Sequence, residues 1–402
     1  MKGANIFWIS IDSLRRDFLH TYKPQGNRHT FIDELAGNGC VFEHTFPGGN
    51  WTMPSHATML TGLDATSHMI WSWAHRFAPE TRSAFDYFKD AGYTVGCFAI
   101  PQLGSLFSQS PLDYVGPTAD PTLLKCLGSD RPFFAFWHTY NVHYPYGMVV
   151  PTDYNDARAD FDHPSRALNY LRYLIVTEQQ EIIFDSYRRE IQSAARFIRM
   201  VADRLRSLGK LENTYFIITA DHGEAWEPLT SFHCNFKEEV IEIPLIISGP
   251  DIAPSQVATP VSLVSLLPTM LDLCGLEVDE AAAGFDGQSL LPLMARKADE
   301  ASPLVIAGPD GVRNRHRYLA IRQGEWMLIS AMGYWRESFH RVSDGVRSEN
   351  LLDQELPVEA RNSLEEFRAI AERHAERLSS KKDHVVEVSK VTEKKLQALG
   401  YV

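Results

Sequence analysis

Apolar and polar positions along this chain follow two rhythms. Short, nearly continuous apolar runs, "NIFWISI" (5–11), "TVGCFAI" (94–100), "FFAFWHT" (133–139), "TYFIITA" (214–220) and "IPLIIS" (243–248), have the length and the Ile, Val, Phe and Tyr content of buried strands. Between them, helical spacing marks 30–38, 54–61, 81–91, 187–208 and 262–274. This alternation predicts an α/β fold, a mostly parallel central sheet with helices on both faces.

Two regions break the rhythm. From Asp153 to Ser186 the chain is first polar and turn-rich, then reads as helical in "LRYLIVTEQQEIIF", as expected of an insertion (about 151–186) over a sheet edge or a site mouth. Its aromatic residues (Tyr154, Phe161, Tyr170, Tyr173) read as packing rather than a base-stacking platform. After residue 300, "HRYLAIRQGEWMLISAM" reads as a hairpin turning at Gln323-Gly324, and "PVEARNSLEEFRAIAERHAERL" as a charged amphipathic helix. The expected division is therefore a large domain over 1–300 and a smaller α+β subdomain over 301–402, ending in a solvated tail.

Composition narrows the function. The chain has 402 residues, 44% hydrophobic and 22% charged, ordinary values for a globular protein with a full core. A net charge of −12 argues against nucleic acid or an anionic membrane as partner. It leaves room for a small anionic substrate, since a bound cation inverts the local field. The five cysteines are odd in number and scattered without a CxxC pair, which argues against a disulfide framework and a thiolate metal site and fits a cytoplasmic location. The opening apolar run is too short for a secretory signal and reads as the first strand. No run approaches the ~18 apolar residues of a membrane-spanning helix.

Candidate chemistry gathers where strands end, the edge at which open parallel sheets bind ligands. Asp12 follows the first strand, His143 follows the third in "YNVHYPYG", and Asp221 with His222 follows the fourth in "ADHGE", with His233 beyond. Thr52 opens the helix of "NWTMPSHATMLTG", one turn before His56. Asp12, Asp221 and His222 offer two carboxylates and an imidazole to a divalent cation, and Thr52 can complete that shell. A threonine alcohol becomes a useful nucleophile when a metal lowers its pKa; the helix N-terminus adds only ~0.3–1 kcal/mol. His143 and His233 would take a second metal or hold the oxygens of a tetrahedral anion. Each residue also has a plain structural reading. Asp12 and Thr52 can be helix caps, His143 a loop histidine, and His56 a satisfied core histidine.

Taken together, these segments resemble the alkaline phosphatase superfamily, most closely its sulfatase branch. "NIFWISIDSLRRD" resembles the opening strand with its metal aspartate, and "TMPSHATMLTG" the nucleophile motif and helix. "AGYTVGCFAIPQLG", "ADHGE", "KEEVIEIPLIISGP", "VSLLPTMLDLCGL", "GQSLLPLM" and the terminal "LQALGYV" match further landmarks in order. The departures are informative. Thr52 stands where sulfatases carry the cysteine matured to formylglycine, and His56 replaces the motif arginine. Ile100 and Gln102 occupy the sulfate-binding lysine and histidine positions, and His233 that of the later lysine. Ser13 replaces the second aspartate of the opening pair, and His222 an asparagine.

The substituted set resembles the superfamily's phosphodiesterases and phosphoethanolamine transferases. That resemblance implies one tightly held zinc or manganese ion on Asp12, Thr52, Asp221 and His222, with a second ion at His143 and His233 as the alternative. The expected activity is a metal-dependent phosphomonoesterase or phosphodiesterase acting on a small anionic ester through a phospho-threonine at Thr52, with His143, His233 and His56 in supporting catalytic roles. The alternatives are a sulfate-ester or phosphonate-monoester hydrolase, a phosphoryl-group transferase, and a non-catalytic scaffold of the same fold.

Overall fold

The computed structural model describes residues 3–117, 121–149, 166–227, 232–279, 283–297, 302–310, 316–332, 336–343 and 345–385. Its main sheet is built around β1 (Asn5–Ile11), with β5 (Phe133–Thr139) and β6 (Thr214–Thr219) paired parallel on either side. All three are buried at every position, which is why they read as unbroken apolar runs. The remaining strands are β2 (Gly39–Phe46), β3 (Thr94–Phe98), β4 (Tyr114–Gly116), β7 (Ile243–Ser248), β8 (Ser255–Val257) and β9 (Val261–Ser262). Spatial order is β4-β3-β5-β1-β6-β7-β2-β8, with β9 also on β2. Among these described strands β7 alone runs against the rest.

The expected α/β architecture is present, with three local differences. β2 was not anticipated, because Glu43 and His44 interrupt its apolar pattern; both are half-exposed where the pairing with β7 bulges between Phe42 and Thr45. The helical reading of 171–184 divides: one helix spans Arg166–Val176, Glu178 turns the chain at φ 58°, and a 28-residue helix runs Gln180–Ser207. Most of the polar part of the insertion, and the terminal "LQALGYV", lie outside the described residues.

A second, antiparallel sheet follows: β10 (Leu304–Gly308), β11 (Tyr318–Gln323), β12 (Trp326–Ala331), β13 (Glu337–Ser343) and β14 (Val346–Arg347). The hairpin pairs Gln323 with Trp326, so its turn is Gly324-Glu325, one residue later than read from sequence. Period-two alternation gives this sheet two apolar faces. Ile306, Ala320, Met327 and Ile329 pack on Phe46, Phe236 and Val240 of the larger layer. Ile321, Leu328 and Phe339 pack on Leu364, Phe367 and Ile370 of the C-terminal helix Val358–Ser380. Among the described residues no helix is long and apolar enough to cross a membrane.

Candidate active site and metal centre

The register of the three central strands builds the site. Ser10 on β1 lies level with His138 on β5 and Thr219 on β6, so the chain leaves all three strands at one edge. Asp12 follows β1 and its amide bonds the Thr139 carbonyl at 3.0 Å. Asp221 and His222 follow β6 next door. All three side chains are fully buried, and their ligating atoms fall within 4.8 Å of one another. Gly223 follows because a Cβ there would sit 2.0 Å from the Glu239 carbonyl oxygen, where the loop closes against residues 239–240.

Thr52 arrives from β2 by way of the loop 47–51. It is the first residue of the helix Thr52–Thr61, not its cap: Trp51 holds the cap position and no side chain caps the helix. The expected capping role of Thr52 is thereby corrected. Its hydroxyl turns instead to the carboxylate cluster, with Oγ1 3.4 Å from both Asp12 Oδ2 and His222 Nε2. The loop before it is fastened from two sides. The Asn50 amide bonds the Ala307 carbonyl of β10 at 2.9 Å, and the Asn50 carbonyl accepts from Cys234 N at 3.1 Å.

The hydrogen bonds around the cluster fix its donors. Ser13, at φ 59°, gives its amide to Asp221 Oδ1 at 3.1 Å and its hydroxyl to Asp12 Oδ1 at 2.8 Å. Asp221 Oδ2 is buried and accepts no hydrogen bond among the described residues, while His222 Nε2 lies 3.5 Å away. His222 gives Nδ1–H to the Gly223 carbonyl at 2.8 Å, which leaves Nε2 as its lone pair toward the carboxylates. An orphaned carboxylate oxygen beside a tautomer-fixed imidazole suits a divalent cation. Burial works against charge on His222, but Asp221 and Asp12 outweigh it and its pKa is raised.

His143 and His233 are also brought to this edge. Their rings lie 5.9 Å apart, and His233 is 4.9 Å from the His222 ring. His143 gives Nδ1–H to the Tyr144 carbonyl at 2.9 Å, and His233 gives Nδ1–H to Glu224 Oε1 at 3.2 Å. Burial pushes their pKa values down, to about 4 and about 3, so both are neutral in the protein alone. His143 and His233 thus share one tautomer, with Nε2 as the lone-pair nitrogen, and His222 takes the same one when deprotonated.

His56 sits deeper. Its Nδ1–H is given to the Thr52 carbonyl at 2.8 Å, and its Nε2 accepts from the Ser10 hydroxyl at 3.0 Å. Burial lowers its pKa to about 3, so its 3.6 Å approach to Asp221 Oδ2 is not an ion pair. It meets the backbone of Thr52 rather than its hydroxyl, the geometry of a positioning residue.

Sequence reasoning missed several members. His138 lies inside β5 with Nε2 3.3 Å from Asp12 Oδ2; the one imidazole in an otherwise apolar run was its signal. Glu224, the last residue of "DHGE", is fully buried, and burial raises its carboxyl to about 7. Tyr144 is 6% exposed, its ring packs on His143, and its hydroxyl has no hydrogen-bond partner among the described residues. Ile100 follows β3, one residue ahead of a short helix from Pro101 to Leu106; Gln102 lies in that helix, and its side chain is outside the described residues.

The sequence profile of the Sulfatase family matches residues 4–110 and 119–276. Among curated relatives, Arylsulfatase K of Xenopus laevis is 32% identical over 149 residues, 36% of this chain and 27% of that protein. Choline-sulfatase of Rhizobium meliloti (strain 1021) is 28% identical over 173 residues, 43% of this chain and 33% of that protein. The matched stretches thus span about a third or less of these relatives' length. Two solved structures share the fold over nearly their whole length. A 2-O GAG sulfatase superimposes with a TM-score of 0.73 at 19% identity, covering 96% of this chain and 95% of that one. The phosphonate monoester hydrolase of Agrobacterium radiobacter gives 0.68 at 16% identity, covering 96% and 98%. With the profile spanning both β1 and the "ADHGE" segment, the chain belongs to the Sulfatase family.

Proposed function

We propose that this protein is a divalent-metal-dependent hydrolase of small anionic esters, with phosphate mono- or diesters as substrates and Thr52 as nucleophile. The observation that carries the reading is the position of Thr52 Oγ1, 3.4 Å from Asp12 Oδ2 and from His222 Nε2, beside the unpartnered Asp221 Oδ2. Asp12, Asp221 and His222 would hold the cation, zinc or manganese by the mixed oxygen and imidazole donors, and its charge would lower the pKa of the Thr52 alcohol. Thr52 Oγ1, its proton released to solvent, attacks phosphorus in line as the bond to the leaving oxygen breaks. The leaving oxygen takes a proton from His143 or His233, which gain one as the anionic ester enters. Water then attacks phosphorus, gives a proton to the histidine that the first step left neutral, and breaks the bond to Thr52 Oγ1. Tyr144, with an uncommitted hydroxyl in this neighbourhood, supplies a hydrogen bond to a substrate oxygen.

Phosphorus suits a threonine nucleophile because it accepts a second in-line attack through the same kind of loose transition state. A second reading, sulfate-ester hydrolysis, is favoured by the names of the curated relatives. Parallel assays of metal-loaded protein on aryl phosphate, diaryl phosphate, aryl phosphonate and aryl sulfate decide between them. The phosphoester reading predicts that one of the first two is fastest; faster turnover of the sulfate overturns it.

A further inference from the structure

We infer that Glu224 is a positioning residue for His233, holding that imidazole in the one tautomer that offers Nε2 to the reacting group. The inference rests on the proposed role of His233 and deepens it. Glu224 is fully buried, and each of its carboxylate oxygens has a donor from a different segment. Oε1 accepts from His233 Nδ1 at 3.2 Å, and Oε2 accepts from the Tyr146 hydroxyl at 3.0 Å. The Tyr146 oxygen in turn accepts from Trp226 Nε1 at 2.9 Å. The Glu224 carbonyl is held by Arg15 at 3.1 Å, and the Arg15 guanidinium lies over the Trp226 ring at 4.8 Å.

The polarity of this chain matters. Indole N–H can only donate, so Trp226 commits the Tyr146 proton to Glu224, and above about pH 7, where Glu224 is ionised, the carboxylate can only accept. His233 must therefore present Nδ1–H to it, and Nε2 is left as the lone pair. A carboxamide at 224 cannot reproduce this. Its oxygen is needed by Tyr146, so its NH2 faces His233 and favours the opposite tautomer. Glu224 also joins the loop of Tyr146, the loop of His233 and the segment after His222, so one carboxylate sets the relative placement of all three.

The test is Glu224→Gln, a near-isosteric change, in the metal-loaded full chain. It is assayed on aryl phosphate, or on aryl sulfate if that is the ester the parent turns over. We expect kcat to fall about ten- to a hundredfold, the usual effect of removing a partner that orients a functional histidine, with KM within about threefold. In a His233→Ala background the same substitution should change kcat by less than about twofold, because the two act as a unit. Imidazole ¹⁵N NMR should show His233 passing from Nδ1–H to Nε2–H in Glu224→Gln, a readout that needs no turnover. Unchanged kcat and tautomer in Glu224→Gln, or an equal loss of kcat in both backgrounds, overturns the inference. Absence of phosphoester turnover in the parent bears instead on the proposed function and leaves the NMR outcome standing.

Discussion

The backbone amide of Ser13 reaches across from the end of β1 to Asp221 Oδ1, 3.1 Å away at the end of β6. The left-handed turn at Ser13, φ 59°, makes this reach possible, and the same residue's hydroxyl steadies Asp12. Both carboxylates of the cluster are thus oriented by one residue. Ser13→Ala and Ser13→Gly both remove the hydroxyl, and each should weaken metal affinity about tenfold or more. Ser13→Gly should be the more stable of the two by about 1 kcal/mol, since glycine adopts this conformation without strain. Metal titration and denaturant unfolding of the pair measure both effects.

Among the described residues the Tyr144 hydroxyl is a buried donor without a hydrogen-bond partner. Such a group costs about 1–3 kcal/mol in the folded state. Tyr144→Phe should therefore leave the melting temperature unchanged or higher while lowering kcat/KM. A fall in both would show that the hydroxyl supports the fold rather than the substrate.

Acid should destabilise the metal-free protein steeply. Burial lowers the pKa values of His56, His68 and His233 to about 3 and those of His138 and His143 to about 4. Below the ordinary value of about 6.5 the unfolded chain takes up protons that these imidazoles refuse, at up to about 1.4 kcal/mol per group per pH unit. Stability present above pH 6.5 is therefore lost as pH falls toward 4. Glu224, raised by burial to about 7, works in the opposite direction between about 4.5 and 7, and His222, whose pKa is also raised, does so only above about 6.5. Five depressed groups outweigh these two. Urea unfolding at pH 5 and pH 7 should show the loss. His68→Gln should flatten the acid limb without changing metal affinity, since His68 packs away from the cluster against Thr58 and Phe77.

The smaller sheet should matter to the site through Gly308. A Cβ there would lie 1.8 Å from Asn50 Oδ1, and Gly308 has φ +151°. Asn50 precedes Trp51 and Thr52, and its amide group also bonds the Pro309 carbonyl at 2.8 Å. Gly308→Ala should cost about 1–3 kcal/mol of stability and lower turnover with metal affinity nearly intact. Unfolding, kinetics and metal titration on one preparation separate these terms.

What the sequence disclosed followed physical lines. β1, β5 and β6 were legible because both faces are buried and their apolar runs are continuous. The convergence of Asp12, Asp221 and His222 was legible because they break those runs where neighbouring strands end. β2 was hidden because Glu43 and His44 fall on a half-exposed bulge. His138 was hidden because a lone imidazole within β5 carries no spacing pattern. Glu224 and Tyr146 could be quoted from the sequence but not paired, since 78 positions separate two groups that meet only in the fold. The capping reading of Thr52 failed because local pattern does not say which way a hydroxyl turns.

Turnover by the proposed route requires the Thr52 oxygen to form a bond to the substrate. The most direct measurement is peptide mass spectrometry of metal-loaded protein quenched during turnover of a slow aryl phosphate, with Thr52→Ala assayed beside it. The expected result is a phosphoryl group on the peptide containing Thr52 and a loss of kcat on the order of 10³-fold or more in Thr52→Ala. An unmodified peptide together with turnover in Thr52→Ala close to that of the parent would contradict it.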